Sequence, residues 1–422
     1  MTSTEPAAPR RFAALRNRHS RPYLFTAGLS MMGDNNEHVI TYWVLWEKFH
    51  SPALVGFEVI SHWLPFLLLS VWFGTLAERF DCRRLINISQ GLFMFVSIMW
   101  GVLFVTGTLQ MWMACVLLVL HGMAGSMWGP AEQLLLHDFV DRDELPSAVR
   151  LNATFRSLGV LFGPAVGSAL LLGLGPVWGI WANVAFYLPM QILMMRIPFT
   201  GHSREPDAAP ARVTIVDSVR VLRRVWFNRV LVSMIILSGL TAVTVGNALQ
   251  VSMPIFAGRL GSGTDGTAYG VLLFANGAGA VLGGFLLEST RRIKPSTRWA
   301  VVSSVIFGIT TLTFATSHSY LLAVIVLVIG GVANMGSMSI TQSIVQLEAP
   351  AGERGRVFGV YGMFSAGLRT FNGFTLSVLG TAIGVTRSVA VVAAMLIIGA
   401  VAAGVYAASG RRRSAVERTG SQ

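Results

Sequence analysis

Apolar runs of nearly one length alternate with short polar or charged turns along the whole chain. A bilayer core takes about 20 mostly apolar residues per helix. On that measure the pattern predicts twelve spans, at 22–46, 53–77, 85–106, 110–136, 148–173, 176–196, 230–257, 268–288, 299–316, 319–344, 358–384 and 387–408. The shortest separations are Gly173-Leu-Gly-Pro176 and Ser317-His318, turn chemistry that ends one helix and starts the next. The predicted organisation is a basic arm at 1–21, a six-helix bundle at 22–196, a central loop at 197–229, a second six-helix bundle at 230–408 and a basic tail at 409–422. The fold class is therefore all-α integral membrane, with twelve transmembrane helices in two pseudo-symmetric six-helix bundles.

One charged turn recurs in both halves. Residues 74–84 read Gly-Thr-Leu-Ala-Glu-Arg-Phe-Asp-Cys-Arg-Arg, and 210 positions later Gly284-Phe-Leu-Leu-Glu288-Ser-Thr-Arg291-Arg292 follows the same plan. Each copy has a glycine, a carboxylate four residues on, and then a pair of arginines. A turn repeated at matching places in two apolar halves is what a duplicated membrane protein produces.

Composition agrees: 53% of the 422 residues are hydrophobic and 12% charged, against about 25% charged in a soluble domain. The net charge of +12 is explained by where it sits. One side of the predicted bilayer carries Arg10, Arg11, Arg16, Arg18, Arg21, Arg79, Arg83, Arg84, Arg142, Arg150, the central-loop arginines, Arg291, Arg292, Lys294, Arg298, Arg354, Arg356 and the basic tail. The other side has only Lys48, Arg259 and Arg387. Cytoplasmic loops retain Lys and Arg, so both termini are expected in the cytoplasm of a bacterial cell with the protein in its inner membrane. The charge is topology, reinforced by anionic lipid, and requires no nucleic acid. The first apolar run has no cleavage site and reads as a retained span. Val213 to Trp226 has the spacing of an interfacial amphipathic helix. Cys82 and Cys115 suggest neither a disulfide nor a thiolate metal site.

These features resemble the major facilitator superfamily, over the whole chain. Gly33-Asp34, Leu64-Pro65, Gly129-Pro130-Ala131, Asp143-Glu-Leu-Pro-Ser-Ala-Val-Arg-Leu-Asn152 and Arg354-Gly-Arg356-Val357 resemble its branch of enterobactin, macrolide and some metal-resistance exporters. The resemblance implies alternating access between the bundles, driven by a proton gradient with no other cofactor. It implies a monomer whose partners are a small molecule, protons and the lipid bilayer. It also implies a cytoplasmic gate at Gly74, Glu78, Arg79, Arg83, Gly284 and Glu288. The usual Asp of the turn is here Glu78, which leaves a charge pair with Arg79, Arg83 or a neighbouring helix end open. The second copy lacks the arginine that follows the first carboxylate, so a stronger latch is expected in the first half. Gly159, Gly163, Pro164 and Gly167 resemble the later half of an antiporter motif, and small residues at this spacing form a packing hinge. Many drug exporters carry an arginine near the middle of span four. Here the stretch is Val116-Leu-Leu-Val-Leu-His121-Gly122, so their coupling scheme does not carry over whole.

An ionisable residue at mid-bilayer costs about 2.5–3.5 kcal/mol on insertion scales and asks for a reason. Asp34, Glu37, His38 and Thr41 fall on one helical face of span one, with Asp34 roughly 18 Å into the membrane. Glu58 and His62 share a face of span two, with His62 at the depth of His38. Three readings stand open: Asp34, Glu37 and His38 exchange protons, Glu37, His38, Glu58 and His62 bind a divalent metal, or these groups satisfy one another along a wet path. Arg156 is read as a partner of Glu132, of a substrate carboxylate or of the lipid surface, and Arg369 with Asn372 as its counterpart in the second bundle. Glu58, His62, Arg156, Arg369 and Asn372 thus form the candidate substrate or ion path. A lone histidine is most often structural, so His121 and His318 receive no role. The tryptophans are read as interfacial or lipid-facing.

No nucleotide-binding Gly-Lys-Ser/Thr loop and no nucleophile elbow occurs, so the chain reads as a carrier and not an enzyme. The favoured expectation is proton-coupled export, by antiport, of an amphipathic small molecule such as a drug or siderophore. The rivals are divalent-metal export and a membrane sensor or partner that transports nothing.

Overall fold

The computed structural model describes residues 12–203, 223, 226–245, 248–260, 267–290, 295–350, 352–371, 379–380 and 382–419. Among these residues the structure is helical and has no strand. Asn372, Arg291, Arg292, Lys294 and nearly all of the expected interfacial helix lie outside the described residues.

A short α1 (Ala13–Arg16) precedes five helices of the first half: α2 (Ser20–Phe49), α3 (Pro52–Arg79), α4 (Cys82–Thr106), α5 (Met111–Phe139) and α6 (Leu145–Arg196). The second half holds α7 (Arg229–Thr244), α8 (Ala248–Arg259), α9 (Thr267–Thr290), α10 (Thr297–Thr316), α11 (Tyr320–Glu348) and α12 (Arg354–Gly362). A π-helical turn at Met363–Gly367 and the final helix α13 (Val385–Thr419) complete it. Caps mark the starts. Ser51 accepts from the Leu54 amide ahead of Pro52, Asp81 accepts from Arg83, and Asn228, Ser296 and Ser319 do the same for α7, α10 and α11.

Among the described residues eight helices are long and apolar enough to cross a membrane, and the departures from twelve have physical causes. Helix α6 covers the fifth and sixth predicted spans and breaks at Gly175, whose φ of 76° is open to glycine, just before Pro176. The split at Ser317-His318 is real, since α10 ends at Thr316 and α11 starts at Tyr320. Helix α2 is diluted by its own charged face. Predicted span seven is divided between α7 and α8, and span eleven is interrupted by the π-helical turn. The pattern is consistent with twelve spans in two bundles of six.

Each half has its own apolar clusters, one built around Tyr23, Phe93, Trp128 and Tyr187 and another around Phe256, Phe307 and Phe314. In the first half, Gly159, Gly163 and Gly167 press α6 onto α2. A Cβ at Gly159 would lie 2.5 Å from the Gly28 carbonyl oxygen, so this face admits no larger residue.

The bundles meet at the arginine-rich end. Helix α3 packs on α12 so closely that a Cβ on Gly74 or Gly355 would strike the other's carbonyl oxygen. Beside that contact the Glu78 carboxylate accepts from the Arg356 side chain and from its backbone amide, both at 2.7 Å. The second copy makes the mirror contact. Glu288 of α9 accepts from Arg150 of α6 at 2.9 Å, from Ser147, and from the Phe12 amide at 3.0 Å. Gln346 of α11 donates to Gln133 of α5 between them.

The turn's own arginines do other work. Arg83 binds Asp81 and donates to the Ile197 carbonyl oxygen at 2.7 Å, and Arg79 lies over Phe80. Burial pushes the Asp81 carboxyl up, but hydrogen bonds from Arg83 more than offset this and hold it below its ordinary range. The asymmetry expected from the missing second-half arginine is therefore absent from the geometry, because each carboxylate takes its partner from the opposite bundle.

Candidate functional site

The site is built on the polar face of α2. Asp34 and Glu37 turn toward α5, where His121 lies between them. Its Nε2 is 2.7 Å from Asp34 Oδ1 and its Nδ1 is 3.0 Å from Glu37 Oε1. Ser97 of α4 donates to the other oxygen of Glu37. All three ionisable side chains are buried, and Phe93, itself stacked on Tyr187, packs edge-on against the imidazole.

This geometry constrains protons. An ionised carboxylate only accepts, and a neutral imidazole has one N–H to give. Two imidazole–carboxylate contacts need two protons, so either the ring is imidazolium or one carboxylate is protonated. With both contacts made as hydrogen bonds, the arrangement of Asp34, His121 and Glu37 has a place for one proton beyond the neutral ring.

Two further histidines close around the same point. His38 lies one helical turn from Asp34, with Nε2 3.9 Å from Oδ1. His62 of α3 packs against His38 at 4.8 Å between ring centroids and against His121 at 5.7 Å. Gly122 permits this, since any side chain there would strike the Ser61 carbonyl that precedes His62. One donor atom each from Asp34, His38, His62 and His121 lies within 4.8 Å of the others.

The quartet expected for a metal was Glu37, His38, Glu58 and His62, and the structure assembles a different one. His38 and His62 meet as their equal depths predict. Glu37 is instead taken by His121 and Ser97, and Glu58, though buried, stands outside the group with one oxygen unpartnered. His121 is the residue that sequence reasoning left without a role. A signal existed: it occupies the middle of predicted span four, among apolar residues where an ionisable group asks for a reason.

Arg156 makes two contacts with Glu132, at 3.0 and 3.2 Å, and lies 4.4 Å from the Trp128 ring. Tyr23 also donates to Glu132 at 3.1 Å, so this arginine is paired inside the first bundle with a carboxylate that is itself held in place. Arg369 differs. It stands over the Trp63 ring at 4.9 Å, its Nε is buried without a hydrogen-bond partner, and no carboxylate pairs with it among the described residues. Trp43, Trp72 and Trp178 are exposed on the outer surface as expected, whereas Trp63 and Trp128 serve as platforms for arginines.

Comparison with known proteins places this arrangement. The family model described as transmembrane secretion effector matches residues 10–413. The staphyloferrin A transporter of Staphylococcus aureus is 19% identical over 374 residues, covering 87% of this chain and 91% of that protein. The multidrug efflux pump Tap of Mycolicibacterium fortuitum is 23% identical, covering 80% and 83%. Among solved structures, the human organic anion transporter MFSD10 superposes with a TM-score of 0.70 at 12% identity, over 91% of this chain and 99% of that one. A bacterial homologue of the iron transporter ferroportin in its outward-facing state reaches 0.69 at 15%, over 93% and 99%. At such identities the superpositions establish the fold alone, while the family match spans nearly the whole sequence. The chain belongs to the transmembrane secretion effector family, within the major facilitator superfamily of membrane transporters.

Proposed function

We propose that this transporter is a proton-coupled exporter of an amphipathic small molecule, a drug or a siderophore, acting by antiport in a bacterial inner membrane. The observation that carries the reading is the buried Asp34–His121–Glu37 trio, whose two imidazole–carboxylate contacts are suited to holding an exchangeable proton. The names of two relatives, a siderophore transporter and a drug efflux pump, support the cargo class. Arginine asymmetry supports cytoplasmic termini, so the two inter-bundle carboxylate–arginine pairs form a shut cytoplasmic gate. In that state the trio would exchange its proton with the outer side. Cargo binding from the cytoplasm would then require the Glu78 and Glu288 pairs to part.

The test uses the purified full chain in vesicles, with a pH gradient imposed and a fluorescent cationic dye as probe. Wild type concentrates dye against the gradient and carries protons in return. Asp34→Asn keeps dye binding and loses gradient-driven movement. Gradient-driven movement that survives Asp34→Asn would remove the trio from coupling.

A second reading has its own observation, the convergence of Asp34, His38, His62 and His121, a donor set suited to a divalent transition metal as cargo. Manganese or nickel flux by wild type, lost in His62→Ala and unaccompanied by any dye flux, would favour it over the first.

A further inference from the structure

The trio and the Arg156–Glu132 pair engage most of the buried charges of the first bundle, whereas Arg369 stands by itself in the second. Arg369 lies two residues after the π-helical segment, and such π turns recur at functional sites. A cation within the membrane normally finds a carboxylate, as Arg156 finds Glu132. No aspartate or glutamate occurs inside the predicted spans of residues 230–408, apart from Glu288 at the gate, which is bound to Arg150. Arg369 is thus a cation whose own bundle provides no anion.

Its surroundings carry no further charge. The pocket that it lines also holds the hydroxyl or amide side chains of Ser238, Thr241, Asn334, Ser337, Thr341 and Ser365, beside the apolar Ala242, Phe307 and Met338. One face of the guanidinium is covered by Trp63 of the first bundle, and the same ring packs on His62 at 4.6 Å. This covers one face and leaves the edge, with its buried Nε–H, as the binding surface. A guanidinium edge offers two parallel N–H donors, the fork that matches a carboxylate. Hydroxyls and an amide around it suit an anion that also carries neutral oxygens.

We infer that Arg369 and this hydroxyl-lined pocket form a seat for a carboxylate group of the transported molecule. The inference rests on the transport reading and narrows its cargo to organic acids and zwitterions that present a carboxylate beside apolar surface. The seat lies in the second bundle while its Trp63 cover and the histidine cluster lie in the first. Cargo held at Arg369 therefore bridges the two bodies that must move, next to the groups that carry the proton.

The probes are rhodamine B, which has a free carboxylate, and its ethyl ester, which shares the chromophore and lacks that charge. Binding is measured by fluorescence on the detergent-purified full chain, without a gradient. Failure there leaves proton coupling standing, and a loss of coupling leaves the seat standing. Wild type should bind the acid about tenfold more tightly than the ester, the scale of a charge-assisted hydrogen-bond pair. Arg369→Gln should erase the preference. Arg369→Lys, which keeps the charge and loses the fork, should retain part of it and covers the case in which the glutamine variant fails to fold. Equal binding of acid and ester by wild type, or a preference that survives in the glutamine variant, overturns the assignment.

Discussion

The two halves share a fold and a carboxylate–arginine pair across the bundles, yet their interiors differ in kind. The first holds Asp34, Glu37, His38, Glu58, His62, His121, Glu132 and Arg156, most of them knitted into buried contacts. The second has a pocket with several hydroxyls and an amide and holds Arg369 without a paired carboxylate among the described residues. At the arginine-rich end the halves still mirror each other, with Glu78 bound to Arg356 and Glu288 to Arg150. The inter-bundle pair at that end is thus common to both halves, and the interiors are where they part. On the proposed function the first interior serves the proton and the second the cargo.

The sharpest way to break this contrast is to remove the centre of the first interior. His121→Ala leaves Asp34 and Glu37 without the base between them, and gradient-driven flux in vesicles should fall on the order of a hundredfold, the scale of a lost acid–base group. Arg369→Gln should leave the protons carried in return for the cationic dye unchanged. If it abolished that proton signal, the division of labour would be wrong.

The gate tests the shared part. Glu78→Gln or Glu288→Gln removes one charge from a buried pair and should weaken the closed state by about 1.5–3 kcal/mol each. Spin labels on the arginine-rich ends of α3 and α12 would report the longer distances. Equal effects support a symmetric gate, whereas an effect confined to Glu78 would restore the one-sided latch expected from the turn motif.

Smaller effects belong to packing within the first bundle. Gly159→Ala places a methyl 2.5 Å from the Gly28 carbonyl oxygen, and overpacking of this kind costs about 1–3 kcal/mol. It should lower the melting temperature while the acid-over-ester preference at Arg369 persists. Least of all should come from Asp81→Asn, because the Arg83–Asp81 pair is partly exposed and such pairs contribute about 0–1 kcal/mol. The Asp81 carboxyl is held below its ordinary range, so its contribution is complete above that range and fades as pH falls through the lowered value. The wild-type advantage over the variant, read by melting temperature, should vanish in strong acid.

Much of this was written locally. Apolar run length and the turns at Gly175-Pro176 and Ser317-His318 determine the helices and their breaks. Arginine placement determines which end is basic, and helical spacing puts Asp34, Glu37 and His38 on one face. The equal depth of His38 and His62 was legible too, since it needs only the rise per residue.

What the tertiary structure decided is which faces meet. His121 is 84 residues from Glu37, Arg356 is 278 from Glu78, and Arg150 is 138 from Glu288. A helical pattern reports only its own neighbours at three and four positions, so it cannot say that a lone histidine closes a carboxylate pair. Nor can it say that the gate carboxylates reach across to the other bundle. The same limit hid the contrast between Arg156 and Arg369. Each is one arginine in an apolar helix, and only packing shows that the first is answered by Glu132 and the second waits on a hydroxyl-lined pocket.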